Sequence, residues 1–217
     1  MSAHRRLHNP AYLQLHITGN GHVQDCSGHG NVCTGSNVAY AAGAYGHDVG
    51  SFNGSSAYVA TTDATALGPS ALTVMAHVRF TASIAATGFK CIGSRWNGVT
   101  SRGWILYGSS SKMNLYVNNG ATAIASATSF DDQAWHHVAA TISGTSANLY
   151  VDGANQASVT LAAAYLDATI QVVTGARNNN TANGITDYAP ASIGHFRLYN
   201  AVLTQDEVIA AMMLDKR

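Results

Sequence analysis

The chain has 217 residues, of which 47% are hydrophobic and only 10% charged, well below the roughly 25% charge of an ordinary soluble domain. Eleven basic and eleven acidic residues cancel, which removes the electrostatic footprint of a nucleic-acid binder or of a protein drawn to anionic lipid. A real core is available, the surface must be built from Gly, Ser, Thr, Asn and Ala, and the length suits one domain.

The opening stretch MSAHRRLHNPAYLQLHITGN contains a basic cluster, His4-Arg5-Arg6. It reads as a tail, with a grip on an acidic partner as the alternative. The stretch has no apolar h-region and no small-residue cleavage site, and no later run spans a membrane. The expectation is a chain made in the cytosol without export, or one whose signal has been removed. Cys26 and Cys33 bracket CSGHGNVC and, with Cys91, make an odd number, so no complete disulfide framework exists. His22 and His29 lie near, but the spacing fits no standard zinc module.

From there short alternating runs dominate. ALTVMAHVRF places Leu72, Val74, Ala76, Val78 and Phe80 on one face and Thr73, Met75, His77 and Arg79 on the other, the period of a half-buried strand. GWILYG, KMNLYVN, HHVAATIS, ANLYVDG and ASIGHFRLYN repeat the pattern between turn residues. VNNG (Val117 to Gly120) and VDGAN (Val151 to Asn155) carry Asn-Gly and Asp-Gly hairpin signals. So many short strands predict an all-β sandwich or barrel. The last segment, LTQDEVIAAMMLDKR, is the exception. Thr204 and Glu207 form a capping box, Asp206 and Glu207 suit the positive end of a helix and Lys216 and Arg217 its negative end. Val208, Ile209, Met212 and Met213 share a helical face predicted to pack on the sandwich.

Five stretches, taken in order, resemble laminin G-like domains of the concanavalin A-like lectin and glucanase superfamily. They are DCSGHGNV (Asp25 to Val32), SFNGSSAYVA, LTVMAHVRF, AWHHVAATISGTSANLYVDGA and IGHFRLYNAVLTQDEV. The resemblance runs from about Asp25 to Met213 and implies a jelly-roll sandwich of two antiparallel sheets with a short C-terminal helix over 25–217. Residues 1–24 then stand as an N-terminal arm and first strand, a candidate docking segment. The resemblance also makes Trp135 and His137 part of the scaffold. Neighbouring strand residues point to opposite faces, so His136 and His137 cannot both ligate one ion, and His137 is expected to be buried and hydrogen-bonded.

Hydrolytic relatives need paired carboxylates. Here Glu207 is the one glutamate and it serves the helix cap, while no aspartates form an Asp-x-Asp pattern on a predicted strand. No Gly-x-Ser-x-Gly elbow is present, and GARNNNTANG (Gly175 to Gly184) precedes no helix, so it is no phosphate loop. The expectation is a protein that is not an enzyme. Many relatives hold calcium with loop oxygens, for which Asp25, Asn31 and Asp187 are the candidate donors. The acidic pair usual before the closing motif is replaced by Gly194 and His195, so the cofactor expectation is none, with calcium as the alternative.

Binding remains. Sugar-binding relatives use rim loops with an aromatic platform and polar partners, for which the candidates are Trp96, Asn97 and Arg102 together with Arg177, Asn178, Asn179 and Asn180. The composition suits a chain docked into an assembly. The preferred expectation is therefore a structural or adhesion protein of a virion, a bacteriophage capsid decoration or tail-associated protein, repeated as a homo-oligomer or array on the capsid shell. It would bind a host or environmental glycan without entering a membrane or contacting nucleic acid. The alternative is a secreted, extracellular carbohydrate-binding module that loses binding in Trp96→Ala.

Overall fold

The computed structural model describes Leu7 and residues 13–18, 22–43, 45–62, 67–118, 122–179 and 184–215. Two large sheets dominate, and every strand pair recorded is antiparallel. One sheet runs in the order Ala154–Thr160 (β14), Ser146–Val151 (β13), His136–Ser143 (β12), Ala71–Phe80 (β7), Pro190–Tyr199 (β18), Leu13–Thr18 (β1) and Gln24–Asp25 (β2). Asp48–Asn53 (β5) also pairs with β18, and Ala39–Ala42 (β4) with β5. The facing sheet runs Thr122–Ala125 (β11), Lys112–Val117 (β10), Arg102–Ser109 (β9), Lys90–Asn97 (β8), Val173–Thr174 (β15), Tyr58–Thr61 (β6) and Cys33–Ser36 (β3). Arg177–Asn178 (β16) and Ile185–Thr186 (β17) form a separate short ribbon. This is the two-layer antiparallel sandwich that the alternating runs and the resemblance imply. Part of the first 24 residues belongs to it: β1 pairs with β18, and Leu7 is buried. The other residues of the expected docking arm, apart from 22–24, lie outside the described ones.

The main core fills the space between the sheets, with Leu72, Val74, Ala76, Val78 and Phe80 of β7 opposite Trp104 and Leu106 of β9. Burial of such side chains contributes about 1.5–3 kcal/mol each before conformational entropy is subtracted. Expected to be half-buried, β7 is covered on both faces. Thr73 and Met75 are fully buried under a second layer, because the chain after β18 folds back across the sheet. There Thr73 Oγ1 donates to the Ala201 carbonyl at 2.7 Å and accepts from the Leu203 N–H at 2.9 Å.

The helix Gln205–Leu214 (α1) closes that layer, and Thr204 and Glu207 form the reciprocal capping box. Its buried stripe differs from the expected one. Glu207, Val208 and Ala211 face the sheet, whereas Ile209 and Met213 are exposed. Capping by Glu207 sets the rotation: a carboxylate turned back to its own cap brings Val208 and Ala211 over Met75 and Ala139. The Asp-Gly hairpin is present between β13 and β14, with Asp152 and Gly153 at φ of +51° and +78°, the left-handed pair of a two-residue turn. The turn expected at Asn119-Gly120 falls outside the described residues, although β10 and β11 do pair.

Candidate glycan-binding rim

The β8–β9 turn and the end of β10 lie side by side because those strands are neighbours in one sheet, and the loop after β14 of the other sheet reaches across to them. The turn between β8 and β9 is held from within: Asn97 Oδ1 accepts the N–H groups of Val99 at 3.0 Å and Thr100 at 3.1 Å. Ser101 then takes a left-handed φ of +53° and Gly103 a φ of +106°. A Cβ on Gly103 would lie 1.8 Å from the Arg95 carbonyl oxygen, so only glycine permits this close crossing. On the neighbouring hairpin, the Asn118 N–H donates to the Gly103 carbonyl at 3.0 Å. Its side-chain amide reaches the 161–169 loop, donating to the Ala164 carbonyl at 2.8 Å and accepting from the Leu166 N–H at 3.0 Å.

That loop is anchored below by a buried ion pair. Arg95, fully buried, donates through Nε to Asp167 Oδ1 and through Nη2 to Oδ2 at 2.9 Å, while Nη1 donates to the Ile170 carbonyl. Burial works against the Asp167 charge, but the Arg95 hydrogen bonds outweigh it and hold the carboxyl below the usual range. Between the turn and the loop lies a cleft of about 310 Å³, lined by Thr100, Ser101, Arg102 and Asn118 together with the apolar Val117, Leu161, Ala163 and Leu166. Leu166 is 48% exposed at its lip. An apolar wall beside a few fixed polar groups is the lining of a small-molecule site.

The structure brings some of the candidate residues here and not others. Arg102 lines the cleft, Asn97 builds its turn, and the Asn179 carbonyl accepts the Gly98 N–H at 2.9 Å beside it. Trp96 is no rim platform. It is 5% exposed, packed with Cys91, Ile105 and Tyr107 and set edge-on to Tyr116 at 5.1 Å. Its segment is strand rather than loop, and large side chains cover its outer face. Arg177 turns away from the cleft to pair with Asp187 at 2.6 Å and lie over Phe89 at 4.6 Å. Asn178 is buried and donates to Gln171, and Asn180 lies outside the described residues. Asn118, Leu161 and Leu166 were not anticipated. The Asn-Gly signal near Asn118 marked only a hairpin, and the 161–169 loop has no motif.

The candidate calcium donors are engaged otherwise. Asp25 accepts from the His16, Ser27 and Asn31 N–H groups, the Ser27 hydroxyl and the Asn31 side-chain amide, at 2.7–3.0 Å. Those donors, against the opposing effect of burial, keep its carboxyl below the usual range. Asn31 thus turns its amide nitrogen, not its oxygen, to the would-be ion, and Asp187 belongs to Arg177 and the Thr186 hydroxyl. Among the described residues no group of three or more His, Cys, Asp or Glu is placed to hold a metal ion. Cys26, Cys33 and Cys91 are free thiols, and burial pushes the Cys33 thiol up to about 12.

A second polar constellation lies under α1, on the far face of the first sheet. Asp215, the C-cap, takes two hydrogen bonds from Arg197, through Nη1 at 2.9 Å and through Nη2. His77 Nε2 lies 3.1 Å from it, off the line of a hydrogen bond, and His195 Nδ1 is 3.5 Å away. His195 has a left-handed φ of +47° within a β-bulge spanning Gly194 to Arg197, an irregularity that re-aims its side chain. His77 and His137 are register partners with ring centroids 5.0 Å apart. His137 is buried as expected, yet neither ring nitrogen meets a hydrogen-bond partner among the described residues. Burial pushes His137 down to about 3 and His195 to about 4. His136 faces the other way, between Asp152 at 2.7 Å and Asp132 at 3.0 Å. These groups tie the helix and the β12–β13 layer together, and the pair of histidines is part of the scaffold.

A family model described as the concanavalin A-like lectin/glucanases superfamily, of laminin G type, matches residues 53–209. No curated protein sequence matches the chain. Among solved structures, the binding domain of Paraclostridial Mosquitocidal Protein 1 is similar at a TM-score of 0.74 and 13% identity, over 95% of this chain and 52% of that one. The botulinum neurotoxin serotype G binding domain is similar at 0.73 and 16%, over 93% and 51%. Domain 4 of AbnA, an extracellular arabinanase from Geobacillus stearothermophilus solved in complex with arabinotriose, is similar at 0.70 and 18%, over 92% and 97%. The chain thus spans about half the length of the toxin domains it matches and nearly all of the arabinanase domain.

Proposed function

Because the chain belongs to the concanavalin A-like lectin/glucanases superfamily, we propose that it is a non-catalytic, lectin-like module that binds glycan in the cleft between the Thr100–Arg102 turn and the 161–166 loop. The observation that carries the reading is the cleft itself: apolar side chains ending in Leu166 line it beside a turn whose backbone is held by Asn97, and Asn118 fixes the 164–166 loop. A sugar ring presents an apolar C–H face and a rim of hydroxyls, and such a lining takes both. A pre-formed site also loses little ordering entropy on binding. The arabinotriose complex of the arabinanase domain supports a sugar ligand for a fold of this kind. Glu207 is occupied in the helix cap, which leaves no glutamate for glycoside hydrolysis.

The test is a glycan array followed by titration of any hit against wild type and Leu166→Asp. Leu166 is about half exposed, at 48%, so the variant keeps its fold while its apolar wall is charged. Binding in the wild type that is lost in the variant supports the reading. An array with no hit tighter than about 1 mM, or binding unaffected by the substitution, refutes it.

A second reading concerns where the module is carried. We propose the surface of a virion, as a repeated array, on the ground that 10% charge leaves a surface of small neutral residues suited to close packing against other copies or a shell. Mass by light scattering and images of the native material test it: a dispersed monomer that associates with no particle excludes this placement.

A further inference from the structure

We propose that the cleft selects glycans bearing a carboxylate, held by the guanidinium of Arg102; the inference rests on the glycan reading above. Five arginines are described, and four have visible work. Arg95 pairs with Asp167, Arg177 with Asp187 and Arg197 with Asp215, while Arg79 lies over the Trp135 ring at 5.5 Å. Arg102 is exposed on the cleft wall and, among the described residues, has no acidic partner. In a chain with eleven acidic residues balancing eleven basic ones, an unpaired arginine facing a concavity is a departure from the pattern.

Its surroundings favour an anion. Among the described residues no carboxylate lines the cleft, and Asp167, next in sequence to Leu166, is neutralised by Arg95 and accepts the Thr169 N–H. Arg102 is also fixed at its root. Its register partner is Asn97, whose side chain holds the turn, and the next residue is Gly103 at its obligatory φ. A planar guanidinium donates two parallel hydrogen bonds to a carboxylate, and Leu166 across the cleft takes the apolar ring face. The carboxylate of a uronic acid and that of a sialic acid offer the same fork, so the shared chemistry is a carboxylated sugar.

The experiment uses two matched pairs of probes, trigalacturonate with its methyl ester and 3′-sialyllactose with lactose. Each is titrated into the full chain while the Arg102 Nε–Hε and backbone signals are followed by NMR. A charge-assisted hydrogen bond predicts that the acid of at least one pair binds roughly tenfold or more tighter than its neutral partner. Arg102→Ala should abolish that difference and Arg102→Lys retain part of it, with both variants melting as the wild type does. Which pair responds identifies the source of the carboxylate. Equal binding of acid and neutral probes in the cleft overturns the acid selectivity and leaves the glycan reading standing. A preference that survives in Arg102→Ala overturns the assignment to this residue. If none of the four probes binds, the inference fails, while the glycan reading is judged by the array and Leu166→Asp.

Discussion

Replacing Asp215 by alanine tests whether the polar layer under α1 holds the fold together. Both carboxylate oxygens are engaged by Arg197, and His77 and His195 lie within 3.5 Å. The Asp215 side chain is 2% exposed and that of Arg197 5%. Burial opposes the Asp215 charge, but the His77 contact and the Arg197 pair outweigh it and hold the carboxyl well below the ordinary carboxylate range. Asp215→Ala leaves the Arg197 cation buried without a counter-charge, which costs about 3–5 kcal/mol. At 2–4 °C per kcal/mol for a chain of this size, the melting temperature should fall by roughly 6–20 °C, read by circular dichroism. The companion variant Asp215→Ala/Arg197→Met removes both charges and should recover most of the loss, because an apolar pair replaces a buried ion pair at little or no cost. A single variant that melts within about 2 °C of wild type, no more than about 1 kcal/mol for this size, would refute the reasoning. So would a double variant that shows the plain sum of two separate losses.

Three further outcomes follow from the same geometry. His137 and His195 titrate at about 3 and about 4 in the folded chain against an ordinary 6.5; the unfolded state therefore binds more protons below 6.5. Each should remove up to about 1.4 kcal/mol of stability per pH unit as pH falls from 6.5 toward its folded value. Denaturant midpoints between pH 7.5 and 4 measure this, and a flat profile contradicts it. Trp96→Ala should lower global stability by about 3–5 kcal/mol because Trp96 is packed with Cys91, Ile105 and Tyr107; a variant of unchanged stability that merely loses ligand would return Trp96 to the rim. Gly103→Ala should yield no folded protein, since its Cβ meets the Arg95 carbonyl at 1.8 Å and φ is +106°; recovery of a native melting curve would refute that.

Much of the fold is legible because its signals are local. Alternation in ALTVMAHVRF, the Asp152-Gly153 turn and the Thr204–Glu207 cap each depend on residues within a few positions of one another, and each stands where expected. The errors are of another kind. Period two placed Thr73 and Met75 correctly on one face but could not say that chain 130 residues away would cover that face. Helical spacing grouped Val208, Ile209, Met212 and Met213, while the cap carboxylate rotated the buried stripe onto Glu207, Val208 and Ala211. Trp96 carried the composition of a sugar platform and sits inside a strand that other aromatics cover.

The all-β class, the Asp-Gly hairpin, the helix and its cap, and the want of paired carboxylates for hydrolysis can all be read from the order of residues alone. Each of these is a property of backbone periodicity or of residue inventory. That Arg102, Asn118 and Leu166 share a cleft, that Arg95 meets Asp167 across 72 positions, and that Asp25 serves its own loop emerges once the sheets are assembled. Those meetings depend on strand order, which sets β8, β9 and β10 side by side and returns the 161–169 loop across their ends. Order is chosen by the summed burial of two whole sheets, and no short run of residues carries that sum.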